Sequence, residues 1–109
     1  MASTQFRLEH INIPSKDPEG LARWYADTFG LRADGKKACG DAVLIVFQTG
    51  EPLQRGPELH FGLRLSTNRE LSEWAGKFDA KITAGQEYNA FRTFDPEGNC
   101  IELYCPVNS

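Results

Sequence analysis

The chain has 109 residues, the usual length of one domain, and its 40% hydrophobic and 25% charged residues are typical of a folded protein in water. Twelve Lys and Arg against fifteen Asp and Glu give a net charge of -3, and the absence of a basic run argues against a nucleic-acid partner. Because no apolar stretch reaches the length of a membrane span and the start has no signal-peptide pattern, we expect a cytoplasmic protein without membrane contact.

The cysteine pattern excludes two further classes. Cys39, Cys100 and Cys105 are odd in number and show no Cys-x-x-Cys spacing. This pattern predicts neither a disulfide framework nor a thiolate zinc site, so we expect three reduced thiols.

The second half of the chain repeats features of the first at an offset of 50 residues. The coinciding pairs are His10 with His60, Leu21 with Leu71, and Trp24 with Trp74. In both halves the histidine lies in an alternating strand pattern that leads into an amphipathic helix pattern. We therefore predict one α+β domain over residues 1–109, made of two tandem units, 6–48 and 58–105, joined by a linker over 49–57.

The first unit opens with a predicted strand from Phe6 to Ile13. In that strand Ile11 and Ile13 point to one face, and His10 and Asn12 point to the other.

A helix should follow, with Asp17 as its N-cap, Pro18 at its first position and Gly30 just past its end. Its apolar residues fall on one helical face, which we expect to pack on the sheet: Leu21, Trp24, Tyr25 and Phe29. The rest of the unit predicts two short strands around a turn over 31–39 and a firmer strand over 42–48. The Gly- and Pro-rich segment TGEPLQRGP then forms the linker.

The second unit opens with a strictly alternating strand over 59–65, which places His60 and Arg64 on the face opposite its leucines. Thr67 and Glu70 form a T-x-x-E capping box for the second helix. The segments 91–94 and 100–104 are predicted to pair as a hairpin around the turn DPEGN, residues 95–99.

A candidate metal site comes from the last strand. Glu102 and Tyr104 share the face opposite Ile101 and Leu103, and a carboxylate on a concave sheet face needs a cation beside it. The chain has two histidines, both at the same place in the repeat, so His10 and His60 are the complementary ligands. Two imidazoles and a carboxylate suit an open-sided site for Mn, Fe, Ni or Zn as divalent ions.

Four segments resemble the vicinal oxygen chelate superfamily of glyoxalase, bleomycin resistance and dioxygenase-like proteins: EHINI, DPEGLARWYADTFGL, ELHFGLRLS and FDPEGNCIELY. Because the segments lie between residues 9 and 104, the resemblance extends over nearly the whole chain. The resemblance implies paired βαβββ units that form half-barrel cups completed in a homodimer. It also implies that His10, His60 and Glu102 stand at the positions of the family's metal ligands. DPEG followed by I-E-L is the most specific of these motifs.

The chain also departs from particular members of that family. Val43 to Phe47 are all apolar where glyoxalase I would supply a carboxylate, and no further histidine remains for the acid–base role of an extradiol dioxygenase. The segment ITAGQEYNAF lacks the Lys and Ser pattern of the fosfomycin enzymes, so resistance to that drug is not expected.

The function expected from these features is a divalent-metal-dependent enzyme, of lyase, transferase or hydrolase type, that chelates a small oxygen-rich or anionic substrate. Four polar residues are candidates for substrate binding, and Tyr104 is the candidate for proton donation or oxyanion stabilisation; the four are Asn12, Gln48, Arg64 and Arg92. The alternative is a metal-free protein that sequesters a small molecule or drug, as bleomycin resistance proteins do. An inert interaction module is the third interpretation.

Overall fold

The computed structural model describes residues 4–53 and 58–109, which form two compact units on either side of position 53. The elements, in chain order, are β1 (Ile11–Ser15), α1 (Pro18–Phe29), β2 (Arg32–Asp34), β3 (Lys37–Cys39), β4 (Leu44–Thr49), β5 (His60–Arg64), α2 (Asn68–Lys77), β6 (Thr83–Ala84), β7 (Tyr88–Phe94) and β8 (Cys100–Pro106). Each unit is therefore a strand, a helix and three further strands. The predicted α+β fold of two βαβββ units is confirmed.

The two units share one sheet topology. The strand order is β1-β4-β3-β2 in the first sheet and β5-β8-β7-β6 in the second. Strand β1 lies parallel to β4, and β5 lies parallel to β8. The other neighbouring strands in each sheet are antiparallel. A parallel pair needs a crossover connection, which the helix of each unit helps to provide.

Helix α1 begins and ends where the sequence predicts. The N–H of Gly20 donates to Asp17 Oδ1 at 3.1 Å, and Gly30 ends the helix with a φ of 71° that favours glycine. Tyr25 is fully buried and its ring lies 5.3 Å from that of Phe47 on β4. The apolar face therefore packs on the sheet as predicted, although Trp24 and Phe29 at its margin are only half-buried.

The first strand differs from its prediction. It starts at Ile11, and residues 4–10 have no regular secondary structure. The alternating Phe6 and Leu8 that suggested a longer strand are 92% and 90% exposed. The reason lies in the strand register: Ile11 pairs with Ile45, one residue into β4, so continuing the register would place Phe6 and Leu8 opposite residues that precede β4.

Helix α2 carries the predicted cap. The Glu70 N–H donates to Thr67 Oγ1 at 3.1 Å, and the Thr67 hydroxyl donates to Glu70 Oε1 at 3.2 Å. Leu71 and Ala75 are the buried residues of the helix. The core of this unit is completed from β7 and β8 by Phe91, Ile101, Leu103 and Cys105.

The hairpin between β7 and β8 is also confirmed. Its turn is held by Asp95, a buried carboxylate that accepts the N–H groups of Glu97 at 2.8 Å and Asn99 at 3.0 Å. Asp95 Oδ2 also accepts from Asn99 Nδ2 at 2.8 Å. These bonds replace the water that a buried carboxylate would otherwise need.

Two further boundaries complete the comparison with the sequence. Strand β4 extends to Thr49, the first residue of the predicted linker, and residues 54–57 of that linker lie outside the described part of the chain. Strand β6 was not predicted.

Neither helix of the described residues is long and apolar enough to cross a membrane.

Candidate functional site

The polar candidates of the second unit lie on the face of its sheet opposite α2. The parallel register of β5 and β8 pairs His60 with Cys100, Gly62 with Glu102, and Arg64 with Tyr104. Because side chains alternate along a strand, these positions share one face while Ile101 and Leu103 point to the helix. The predicted common face of His60, Arg64, Glu102 and Tyr104 follows from this register.

Glu102 stands between two basic side chains. His60 Nε2 lies 3.7 Å from Glu102 Oε2, and Arg92 Nε donates to the same oxygen at 3.3 Å. Arg92 reaches Glu102 because the two residues are directly paired across β7 and β8. The side chains of His60 and Glu102 are each 25% exposed, so this carboxylate is half-buried and its charge is balanced locally.

The His60 and Glu102 pair suits two ligands of a divalent ion. Ligand atoms about 2.1 Å from one ion lie roughly 3.0–3.5 Å apart, so the observed 3.7 Å requires only a small approach of the two side chains. An imidazole nitrogen and a carboxylate oxygen are donors that Mn, Fe, Ni and Zn accept. Within the described residues of this unit, no third His, Cys, Asp or Glu joins the pair in an arrangement able to hold a metal ion.

Tyr104 is half-buried on the same face, two residues beyond Glu102. Its ring meets that of Tyr88 edge to face, with the centroids 5.5 Å apart. On its other side the ring lies against Gly62, where a Cβ atom would come within 3.0 Å of Tyr104 Cε1. The glycine on β5 thus provides the space that the tyrosine occupies.

The first unit carries different residues at the corresponding places. The register of β1 and β4 pairs Asn12 with Val46 and Pro14 with Gln48, so Val46 takes the place that Glu102 has in the second unit. Asn12 and Gln48, both candidates for substrate binding, are exposed on this sheet. At this register position the second unit has a carboxylate and the first has none; the carboxylate on that face of the first sheet is Asp34 of β2, which is paired with Lys37.

His10 belongs to the first unit and lies just before β1. Its Nδ1 atom is 3.4 Å from Glu9 Oε1, and its side chain is 44% exposed. The position in the repeat matches that of His60, but His10 is outside the strand in which we predicted it.

Sequence reasoning missed a cavity in the second unit. About 400 Å³ in volume, it is lined by Lys81, Thr83, Gly85, Tyr88, Ala90, Phe91, Arg92 and Glu102. Three of these residues, Lys81, Thr83 and Gly85, lie on β6 or within two residues of it, and the sequence analysis assigned no strand there. The alternation of Tyr88, Ala90 and Arg92 on β7 was the available signal, because it places them on the face of Glu102.

Cys100 is buried on this face, opposite His60 in the register. Burial raises the pKa of its thiol; the charge of Arg92 lowers it and that of Glu102 raises it further. The thiol is therefore held in its protonated, unreactive form at neutral pH.

Comparison with known proteins agrees with this architecture. A family described as "Glyoxalase/Bleomycin resistance protein/Dioxygenase superfamily" matches residues 7–103. The comparison with curated proteins found no match to this chain.

Many solved structures share the fold. The fosfomycin resistance protein FosX from Listeria monocytogenes has a TM-score of 0.72 and 16% identity, with 95% of this chain and 96% of that one covered. A glyoxalase/bleomycin resistance protein/dioxygenase from Alicyclobacillus acidocaldarius has a TM-score of 0.64 and 17% identity, with 90% and 89% covered. Oxidase ChaP-H1 has a TM-score of 0.65 and 19% identity, with 96% and 99% covered.

Proposed function

The chain belongs to the glyoxalase, bleomycin resistance protein and dioxygenase superfamily, and from this premise we propose that it is a divalent-metal-dependent enzyme acting on a small oxygen-rich or anionic molecule. The observation that carries the proposal is the pair of His60 Nε2 and Glu102 Oε2, 3.7 Å apart on adjacent parallel strands. An imidazole and a carboxylate at that distance are suited to binding one ion together.

His10 is the proposed third ligand, because it occupies the position of His60 in the other half of the repeat. A bound Mn, Fe, Ni or Zn ion would act as a Lewis acid toward two neighbouring oxygens of the substrate. Three protein ligands on an ion that prefers six leave positions for a bidentate substrate and one further group.

The remaining candidates would bind and orient the substrate. Arg64 and Arg92 present guanidinium groups on the sheet face that carries Glu102, where they can bind carboxylate or phosphonate oxygens. Tyr104 can hold a proton on its phenol oxygen or stabilise a developing negative charge. Asn12 and Gln48 could supply further hydrogen bonds from the first unit.

Elemental analysis of protein purified without chelators tests this proposal. We expect up to one divalent transition metal per chain, and a rise in the thermal midpoint when Mn²⁺ or Zn²⁺ is added to the metal-free protein, because specific binding stabilises the folded state. His60→Ala should abolish both effects. A wild-type protein that purifies without metal, and whose midpoint does not respond to either ion, would refute metal dependence.

A second candidate function is sequestration of a small molecule without metal. It is favoured by the Arg92–Glu102 ion pair, which balances the carboxylate without a metal ion, and by Tyr88 and Phe94, which are 47% and 52% exposed on the same strand. The metal titration separates the two functions, because a sequestration protein would retain its aromatic surface but would show no response to the ions.

We also propose a homodimer in which His10 of one subunit completes the site of the other. This arrangement is tested by mixing His10→Ala with His60→Ala chains, each unable to load metal, after mild dissociation. A heterodimer should regain one site if ligands are exchanged between subunits. Sites built within one chain would give no recovery, and a monomer by light scattering at micromolar concentration would exclude the dimer.

A further inference from the structure

The pairing of β1 with β4 begins one residue later than the corresponding pairing in the second unit. There, His60 lies opposite Cys100 at the start of β5 and β8. The matching pair of the first unit would be His10 opposite Leu44, but β1 begins to pair only at Ile11. Leu44 already belongs to β4 and is paired with β3 on its other side. The pair of His10 with Leu44 is therefore missing from a strand that is ready to form it.

Instead of pairing with Leu44, His10 contacts its neighbour in the chain. Its Nδ1 atom lies 3.4 Å from Glu9 Oε1, and its side chain is 44% exposed, compared with 25% for that of His60. Consecutive side chains of a strand point to opposite faces of the sheet, so this contact exists only while residues 9 and 10 are outside the strand. The second unit has Leu59 at the position of Glu9 and cannot make the same contact. The contact with Glu9 and the pairing with Leu44 therefore exclude each other.

The structure leaves room for the missing pair to form. A cavity of about 720 Å³ lies between the segment before β1 and the start of β4, and Glu9 and Leu44 are among the residues that line it. The pairing cannot extend far, because the N–H of Gly40 donates to the carbonyl of Val43 at 2.8 Å and closes the hairpin of β3 and β4 there. A longer β1 would therefore gain His10 and at most Glu9, and the residues before them would stay outside the sheet.

We propose that Glu9 is a positioning residue that holds His10 out of the sheet, and that the missing pair forms when His10 binds a divalent ion. In the longer strand His10 would point to the face that carries Asn12, just as His60 shares its face with Glu102. An ion that binds His10 in this conformation shifts the population toward it, so ion binding and strand extension favour each other. The inference rests on the proposed metal site and adds to it the residue that controls one ligand.

Amide hydrogen exchange followed by NMR, with Zn²⁺ as the probe, tests the extension of β1. Zn²⁺ should slow exchange about ten-fold in residues 9–11 and 43–45 of the wild type and leave residues 5–7 unchanged. Glu9→Leu, which copies Leu59 of the second unit, should show the slower exchange without any ion, because the competing contact is gone. By calorimetry this variant should bind Zn²⁺ about three-fold more tightly than the wild type, since a larger fraction of its molecules has His10 in the binding conformation.

The control, Glu51→Leu, removes the same charge from an exposed position beyond β4. It should keep the exchange rates and the Zn²⁺ affinity of the wild type, and circular dichroism should show both variants folded. Exchange in metal-free Glu9→Leu that equals that of the wild type overturns the role of Glu9. Weaker Zn²⁺ binding by this variant would mean that Glu9 orients His10 toward the ion, which also overturns the proposal.

The same titrations separate this proposal from the proposed function. Zn²⁺ that binds the wild type without slowing exchange in residues 9–11 overturns the coupling and leaves metal dependence standing. If Zn²⁺ binds to none of the proteins, the proposed function itself fails and the coupling with it.

Discussion

Tyr104 lies against Gly62 so closely that a Cβ atom on the glycine would stand 3.0 Å from Tyr104 Cε1 and 3.4 Å from its Cδ1. The two residues are on neighbouring strands, and Gly62 is paired in the register with Glu102. The absence of a side chain at position 62 therefore leaves the space that the phenol ring of Tyr104 occupies.

We expect Gly62→Ala to displace the ring of Tyr104 and to destabilise the protein by about 1 kcal/mol, because an added methyl group forces neighbours in a packed site to shift. Chemical denaturation measures the loss, and the ring resonances of Tyr88 and Tyr104 report the displacement by NMR. Gly76→Ala on helix α2 is the matched control, since nothing lies within 4 Å of its Cβ position. It should stabilise the helix by up to about 1 kcal/mol. Unchanged tyrosine resonances in Gly62→Ala would contradict the packing argument.

The turn of the last hairpin should depend on Asp95. Its carboxylate accepts the N–H groups of Glu97 and Asn99 and the amide of Asn99, and it is only 5% exposed. Asp95→Ala leaves these donors without their acceptor and should cost about 2–4 kcal/mol of unfolding free energy, measured by urea denaturation. Asp41→Ala removes a carboxylate from an exposed loop and should change stability by less than about 0.5 kcal/mol. Equal losses of unfolding free energy in the two variants would show that the hydrogen bonds of Asp95 do not stabilise the turn.

Those parts of the fold that depend on local chemistry were predictable from the sequence. Asp17 and the Thr67–Glu70 pair mark helix ends through hydrogen bonds within three residues, and Gly30 does so through its positive φ. The DPEGN segment forms its turn through bonds among its own residues, from Asp95 to Asn99. The equivalence of His10 and His60 in the repeat was visible for the same reason, because it needs only the spacing along the chain.

What the sequence could not supply depends on pairing between distant residues. The alternation of Phe6 and Leu8 has the period of a strand, but β4 begins too late in the register to pair with either residue. By contrast, the contact of Arg92 with Glu102 follows from the predicted hairpin, because a turn over residues 95–99 pairs position 94 with 100 and therefore Arg92 with Glu102. The cavity went unnoticed because β6 is only two residues long.

The three thiols should differ in reactivity according to burial. Cys39 is partly exposed, whereas Cys100 and Cys105 are buried, and burial also raises the pKa of the Cys100 thiol. Iodoacetamide at pH 8 should therefore modify Cys39 first, followed much later by the other two, as mass spectrometry of peptides would show. Unfolding in guanidinium should make all three react alike. If Cys100 of the folded protein were modified as fast as Cys39, the strand face around Glu102 would be open to reagents.

The last prediction concerns the proton-transfer groups that remain beside the proposed metal ligands. The chain has only two histidines, and the position in β4 that corresponds to Glu102 is Val46. Strand β4, with the sequence LIVFQT, contains no carboxylate at all. An isomerase of the glyoxalase I type must move a proton between adjacent carbons, which requires a positioned base.

A positioned general base contributes about 100- to 10,000-fold to such a rate, so the protein loaded with Ni²⁺ or Zn²⁺ should isomerise the hemithioacetal of methylglyoxal and glutathione weakly or not at all. The measurement is the absorbance of the thioester product, with an authentic glyoxalase I as the positive control. Addition of a nucleophile to a bound electrophile fits the available groups better, because Tyr104 needs only to donate a proton or a hydrogen bond to the oxygen that gains charge. Robust turnover of the hemithioacetal would mean that some other residue acts as the base that β4 lacks.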